Sequence, residues 1–553
     1  MSFPISIFTI IAKYLQVGLW KRLLRQSANC RKLIIKLSRL PQYSDSLAVL
    51  SKFCNDVVSN FQGLSYRVLI LGIFLFSISP GLFSQNPKPD DTEFNQMDFN
   101  TIDFETYRFY TSSNWDSLII EGKEAIRQNI DYFYLRMRLG TAYYEKGNYM
   151  KAANNFEKAL EFSSADPSAL EYLYYCYLFS NREQDARFLS KQFPESLDKK
   201  INPPKSKPID EIYLETGPVF SNNIAVNEKN NLMGKDSLYG MQDLNNDKYY
   251  FHLGLKKNIG KRTSFYLGYS NLVISKLKQI QTSEVVKSGY DTILSNGWYY
   301  VDTLYSKIFN KYDHNYKLYQ DELYLNANIS LGNGFSLVPA VHFIKVNYNE
   351  VFATSAQVEY FAQSYDTIPS VKTEFAYHQS DTSFLNFAGW LSLYKNISNF
   401  RVGLMGSFSN LNGKRQAQFG GEFIWYPYGN LDLYSVSNFV IAVNDKISRP
   451  VFEEKVGSRI SEKLWAEGSF LLGNLVNYTE RNAFVVNNSG DKINFRVGAN
   501  LILSLSSKIE ISLRYQFLGK SSYWYKLFND GTYSNTSIKY QNNQLIGGIK
   551  WKL

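Results

Sequence analysis

The sequence predicts an α+β multidomain chain: a short α-helical repeat solenoid followed by an antiparallel transmembrane β-barrel of 14 or 16 strands. Two observations carry this. In Lys508 to Phe517 the side chains alternate without a break, with Ile509, Ile511, Leu513, Tyr515 and Phe517 opposing Lys508, Glu510, Ser512, Arg514 and Gln516. A period of two over about ten residues is what a tilted, membrane-crossing strand requires. The second observation is a change to helical periodicity upstream, between residues 99 and 200.

The alternation recurs in Asn494 to Ser504, Glu322 to Leu331, Phe400 to Ser409 and the terminal Gly548 to Leu553. Turn residues divide 209–553 into fifteen candidate strands, 479–488 among them, and because single-chain barrels have an even number the expected count is 14 or 16. Short turns at 260–262, 332–334 and 396–399 alternate with long connections, read as loops, at 221–247, 277–314 and 351–382. That asymmetry belongs to outer-membrane barrels, whose periplasmic turns are short and outer loops long. Abundant aromatics, 42 Tyr, 39 Phe and 8 Trp, suit strands and interfacial belts.

The net charge of +10 does not indicate nucleic-acid binding. Of the 60 basic and 50 acidic residues, 10 and 2 lie in residues 1–84, leaving a nearly neutral 50 and 48 in the rest. Val68 to Ile78 is a short apolar run after Arg67, with Pro80, Gly81 and Ser84 behind it, so 66–84 reads as a signal peptide. Residues 1–65 are a basic extension without the makings of a core; the favoured expectation is that translation starts downstream of Met1. Cys30 and Cys54 fall in this leader and Cys176 stands alone, so the later chain cannot form an internal disulfide.

Leu139 to Leu160 reads LGTAYYEKGNYMKAANNFEKAL. Leu139, Gly140 and Tyr143 on a first helix, and Ala152, Phe156 and Ala159 on a second, give this stretch its resemblance to a tetratricopeptide repeat. A step of 34 residues backwards finds Phe109, Trp115, Leu118 and Ala125; forwards it finds Leu173, Tyr177 and Ala186, with Tyr174 where Gly140 stood. The resemblance implies a groove lined by Tyr134, Met137, Thr141, Tyr144, Glu171 and Tyr175 that binds a periplasmic protein partner. Residues 201–208, with the run NPPKSKP, read as a proline linker to the barrel.

No P-loop, HExxH, CxxC or dinucleotide motif occurs, and no cofactor, metal or catalytic residue is expected. Asp243, Asn245 and Asp247 begin like a calcium loop, but Lys248 stands where glycine is needed and Gly254 where glutamate is. His378 and Ser380 form a His-x-Ser pair of the kind found in outer-membrane lipid hydrolases, without an orienting third residue; His252 and His342 read as lumenal polar groups. The combined architecture resembles Gram-negative envelope proteins that join a periplasmic tetratricopeptide module to an outer-membrane barrel in lipid, including pores that export polysaccharide. That resemblance implies partner docking in envelope assembly or transport of a polymer. A barrel plugged by side chains and acting as a scaffold is the alternative, a lipid hydrolase the lesser one.

Overall fold

A computed structural model describes residues 98–553 apart from 205–206, 235, 296, 362–368 and 445–446. The expected extension and signal peptide, with Cys30 and Cys54, lie outside these residues.

The helical region is built from pairs: α1 (Phe99–Thr111) with α2 (Trp115–Arg127), α3 (Phe133–Glu145) with α4 (Tyr149–Phe162), and α5 (Pro167–Phe179) with α6 (Glu183–Leu189). The first helices start at 99, 133 and 167 and the second at 115, 149 and 183, a constant step of 34. Local signals set the starts. Asn114, Asn148 and Asp166 each accept a backbone N–H three residues on, and Pro167 occupies the first helical position. Leu139, Gly140, Tyr143, Ala152, Phe156 and Ala159 are all buried between α3 and α4 or against the flanking helices. Gly140 is required by close approach, since a Cβ there would lie 2.6 Å from the Phe156 ring. A seventh helix, α7 (Glu195–Ile201), ends at Asn202 in the left-handed conformation, and the strands follow.

The first four strands are β1 (Glu211–Ser221), β2 (Ser237–Ile259), β3 (Thr263–Ser295) and β4 (Trp298–Gly332), with the short helix α8 (Asn223–Asn227) between β1 and β2. Next come β5 (Phe335–Tyr360), β6 (Ser370–Ile397), β7 (Phe400–Ser409), β8 (Gln416–Trp425), β9 (Leu433–Asn444), β10 (Ile447–Arg459) and β11 (Leu464–Leu475). After β12 (Tyr478–Glu480) and β13 (Val485–Asn487) the chain ends with β14 (Lys492–Ser504), β15 (Ile509–Phe528) and β16 (Tyr533–Lys552). Fourteen of these close an antiparallel barrel in which sequence neighbours pair, β11 pairs with β14, and β16 returns to β1. The count is the lower of the two expected. The candidate strand at 479–488 is not in the wall: β12 and β13 form a separate two-stranded hairpin.

Closure turns the alternation into an apolar outside and a polar inside. On β15, Ile509, Ile511, Leu513 and Tyr515 are exposed on the outer surface, whereas Glu510, Ser512, Arg514 and Gln516 line the interior. At the seam between first and last strands Glu215 on β1 is only 2% exposed, and Arg514 Nη2 on β15 meets its Oε2 at 2.9 Å.

The expected short turns are all present at one end of the barrel. Two of the connections read as loops are instead paired β-structure at the opposite end. Residues 277–314 continue β3 and β4 as a ribbon paired as far as Ser295↔Trp298, and 351–382 continue β5 and β6 as far as Tyr360↔Ser370. In 221–247, α8 and the start of β2 replace the expected loop. These segments are rich in β-branched and aromatic residues, so two-stranded pairing outlasts the barrel wall.

The helical region sits on the short-turn end. Gln184 Nε2 donates to Asn258 Oδ1 at 2.8 Å, Lys256 Nζ lies 3.0 Å from Glu183 Oε2, and the Arg262 guanidinium stacks 3.7 Å from the Phe188 ring centroid. On another sector Met150 N donates to Gly429 O at 3.1 Å and Asn430 Nδ2 to Gly147 O at 3.1 Å. The β2–β3 and β8–β9 turns that make these contacts are nearly opposite each other in the ring, so the helices bridge the mouth.

Candidate functional site

From Leu475 the chain turns back into the lumen, and Tyr478↔Asn487 to Glu480↔Val485 form the hairpin. Its tip, Arg481, Asn482 and Ala483, has φ of 52°, 57° and 61°. Three consecutive non-glycine residues in the left-handed region cost roughly 1–2 kcal/mol each, so the surroundings must hold them there. They do so through both carbonyls and the amide. Tyr324 OH on β4 donates to Asn482 O at 3.0 Å, His342 Nδ1 on β5 donates to Ala483 O at 2.7 Å, and Ser392 Oγ on β6 donates to Asn482 Oδ1 at 2.8 Å. Phe484 fills the space beside the tip, its ring 5.0 Å from His252 and 5.2 Å from Tyr324.

The opposite wall supplies charge. Arg496 on β14 donates from Nη1 and Nη2 to the two oxygens of Glu480 at 3.1 and 2.6 Å, and from Nη2 to Glu453 Oε1 on β10 at 3.0 Å. Thr479 bonds the Gln418 amide on β8, and Asp491 accepts from Tyr540 on β16 and Asn245 on β2. The hairpin is thereby tied to strands around the whole circumference by polar contacts. It separates two chambers. One, about 720 Å³, faces the short-turn end and is lined by aromatic and charged groups such as Trp390, Tyr394, Arg401 and Glu422; the other, about 180 Å³, lies towards the ribbons.

The expected groove residues have mixed environments. Tyr134 is 64% exposed; Thr141 is 7% exposed and donates its hydroxyl to Met137 O; Met137 packs against the helical core. Tyr144 and Tyr175 are brought together through Phe179, with Tyr149 and Tyr172 also against Tyr144. Burial, above all, with Cys176 and the neighbouring tyrosines, pushes the Tyr144 phenol up to about 12. Glu171 is ion-paired with Lys200 of α7 at 2.7 Å. Burial likewise pushes the Cys176 thiol well above its ordinary value.

His252 and His342 are lumenal, as expected, and both face the hairpin. His378 and Ser380 lie in β6 rather than in a loop, and His378 Nε2 is 2.9 Å from Thr354 Oγ1 on β5. Asp243 pairs with Lys276, and Asp247 accepts the Ser221 N–H at 2.8 Å; among the described residues no group of His, Cys, Asp or Glu is arranged to hold a metal. Sequence reasoning missed the residues that build the lumen: Glu453, Glu480, Arg481, Asn482, Phe484 and Arg496. The available signal was the odd strand count.

No protein-family model matches the chain, and no curated protein matches it. Among solved structures it is similar to a Pseudomonas aeruginosa FadL homologue, at 8% identity over 62% of this chain and 90% of that one, with a TM-score of 0.34. It is also similar to the translocator domain of the autotransporter NalP from Neisseria meningitidis, at 7% identity over 68% and 99%, TM-score 0.25. A MamA mutant matches at 18% identity over 19% of this chain and 73% of that one, TM-score 0.17. The chain's own strand pairing, rather than any of these likenesses, defines it as a closed fourteen-stranded antiparallel barrel preceded by helical pairs.

Proposed function

We propose that this chain is an outer-membrane barrel that passes a polar solute or polymer when its lumenal hairpin moves, and that the helical pairs are a periplasmic tetratricopeptide module docking the protein that delivers or triggers that passage. The observation that carries the reading is the hairpin itself. It is held by hydrogen bonds and one ion-pair cluster, is strained at its tip, and has polar chambers on both sides. Contacts of this kind can be exchanged for water when the hairpin leaves, which a dry apolar plug could not do. The apolar outer face of a closed barrel suits lipid, and the short-turn end then faces the periplasm. The helices bridging that mouth would place a bound partner at its entrance and raise the local concentration of cargo. No catalytic step enters this reading.

The second reading, a permanently plugged scaffold, is favoured by the buried pairing of Arg496 with two carboxylates. Planar-bilayer recording separates them. A variant in which 478–487 is replaced by a short Gly-Ser linker should conduct steadily where the wild type is closed or flickers. A correctly inserted variant that conducts no more than wild type would leave the scaffold reading standing and refute permeation.

A further inference from the structure

We propose that the fork where β4 and β5 part, on the ribbon side of the barrel, is a binding site for a neutral saccharide. The two strands pair from Leu318↔Tyr348 down to the short turn; beyond it β4 leaves with β3, and β5 with β6. The backbone edges of β4 before Leu318 and of β5 after Tyr348 therefore face the gap with no strand partner among the described residues. A cleft of about 650 Å³ opens there, a size typical of small-molecule sites. It lies beyond the exposed apolar residues Leu323 and Phe343 of the outer surface, with Asp321 and Lys345 opposite each other in between.

The lining selects the ligand. It contains no aliphatic side chain, so a lipid chain finds no apolar wall. One ammonium, Lys317, and one carboxylate, Asp381, leave no excess charge to draw an ion. What remains is aromatic carbon beside groups that both donate and accept. The Tyr316 ring stacks on His314 at 5.6 Å between centroids, with planes 15° apart, and Tyr348 follows at 6.0 Å; Tyr319, 45% exposed, stands at the rim. Ser383 Oγ of β6 donates to Asn347 Oδ1 at 2.7 Å, and Asn349 Nδ2 donates to Asp381 Oδ1 at 2.9 Å. These bonds fix both amides while leaving the Asn347 N–H groups and the Asn349 carbonyl open to a ligand. The side chains of Asn315, Lys317 and Thr382 and the Tyr319 hydroxyl make no hydrogen bond among the described residues, and His314 Nε2 is buried without one. A sugar ring matches both halves: its C–H face lies on an aromatic plane, and each hydroxyl donates and accepts.

The site stands apart from the lumenal hairpin, so its occupancy is read whether or not the barrel conducts. Titration calorimetry of the purified full chain in lauryldimethylamine oxide, a detergent without sugar, takes as probes maltohexaose, cellohexaose, chitohexaose and the deacylated, dephosphorylated sugar of lipopolysaccharide. At least one should bind saturably at about one equivalent, with an affinity that salt leaves nearly unchanged. Tyr319→Ala and Asn315→Ala, whose side chains make no hydrogen bond in the free protein, should each weaken it about tenfold, whereas Tyr299→Ala at the 75% exposed ribbon tip should not. Binding of the lipopolysaccharide sugar alone supports the site and identifies its ligand as an outer-leaflet glycolipid; binding of a hexaose supports it with a free glycan as ligand. No binding by any of the four probes overturns the site, as does wild-type affinity in both variants. Saturation by a strand-forming Thr-Val repeat peptide, with no saccharide bound, assigns the fork to chain pairing and overturns it equally.

Discussion

Replacing Glu480 with glutamine tests how the hairpin is held. Glu480→Gln keeps the side-chain shape but removes the charge that Arg496 meets through two hydrogen bonds of 3.1 and 2.6 Å. Breaking a buried ion pair costs about 3–5 kcal/mol, and Glu453, still 3.0 Å from Arg496, keeps the loss near the lower figure. The open state, in which the guanidinium reaches water, is not penalised in this way. About 3 kcal/mol off the closed state multiplies the open-to-closed ratio by roughly a hundred. Release of the left-handed tip, Arg481 to Ala483, works in the same direction and is already part of the wild-type balance. Single-channel recording in planar bilayers should therefore show open events of wild-type size whose total duration is about a hundredfold greater. If the open probability is unchanged while the hairpin-deleted barrel conducts, the Arg496 cluster does not hold the gate and the reasoning fails.

Other perturbations probe the helices and their seat. Gly140→Val drives side-chain atoms into the Phe156 ring, where even a Cβ would sit at 2.6 Å; a loss of about 2 kcal/mol should lower the helical melting transition by roughly 10 °C in circular dichroism, with barrel insertion intact. Gly429→Ala places a methyl 1.9 Å from Asn148 Oδ1 at a residue with φ of +68°, and should speed proteolytic release of the helical region from the barrel. Burial would raise the Glu183 carboxyl, but Lys256 and Arg187 outweigh it and hold it below the ordinary carboxylate range. With the bound-state pKa depressed, this docking contribution is full above the carboxyl's free value and is lost as pH falls below about 4.5. Proteolytic release should accelerate there in wild type and lose that acid dependence in Glu183→Gln.

Elements whose pattern is local were legible. Lys508 to Phe517 reads as a strand because each residue's face follows from its parity, and the step of 34 reads as paired helices because Leu139 and Leu173, Tyr143 and Tyr177, and Ala152 and Ala186 recur along it. In sequence 479–488 reads as one wall strand because Val485 and Val486 are strand formers and the turn has no glycine, proline or Asn-Gly pair to announce it. Only tertiary contacts keep Arg481, Asn482 and Ala483 left-handed, and those partners are 90, 141 and 158 residues away in sequence: Ser392, His342 and Tyr324. The ribbons read as loops in sequence because a membrane strand needs only about ten residues, whereas these segments stay paired beyond the wall. Nothing local distinguishes Arg496, tied to the hairpin, from Arg514, tied to the seam; both sit at polar positions of alternating strands.

Glu215 on the first strand has its counter-charge, Arg514, 299 residues later on the fifteenth. Until the last hairpin is made, that carboxylate has the Tyr213 hydroxyl of its own strand but no cation, and β1 has no neighbour on one edge. A chain emerging N-terminus first must therefore keep β1 hydrated, or lent to another surface, through synthesis of nearly the whole barrel. Insertion into lipid before closure would strand a charge and an open edge in hydrocarbon, so the step that commits the chain to the bilayer is the arrival of its C-terminal strands.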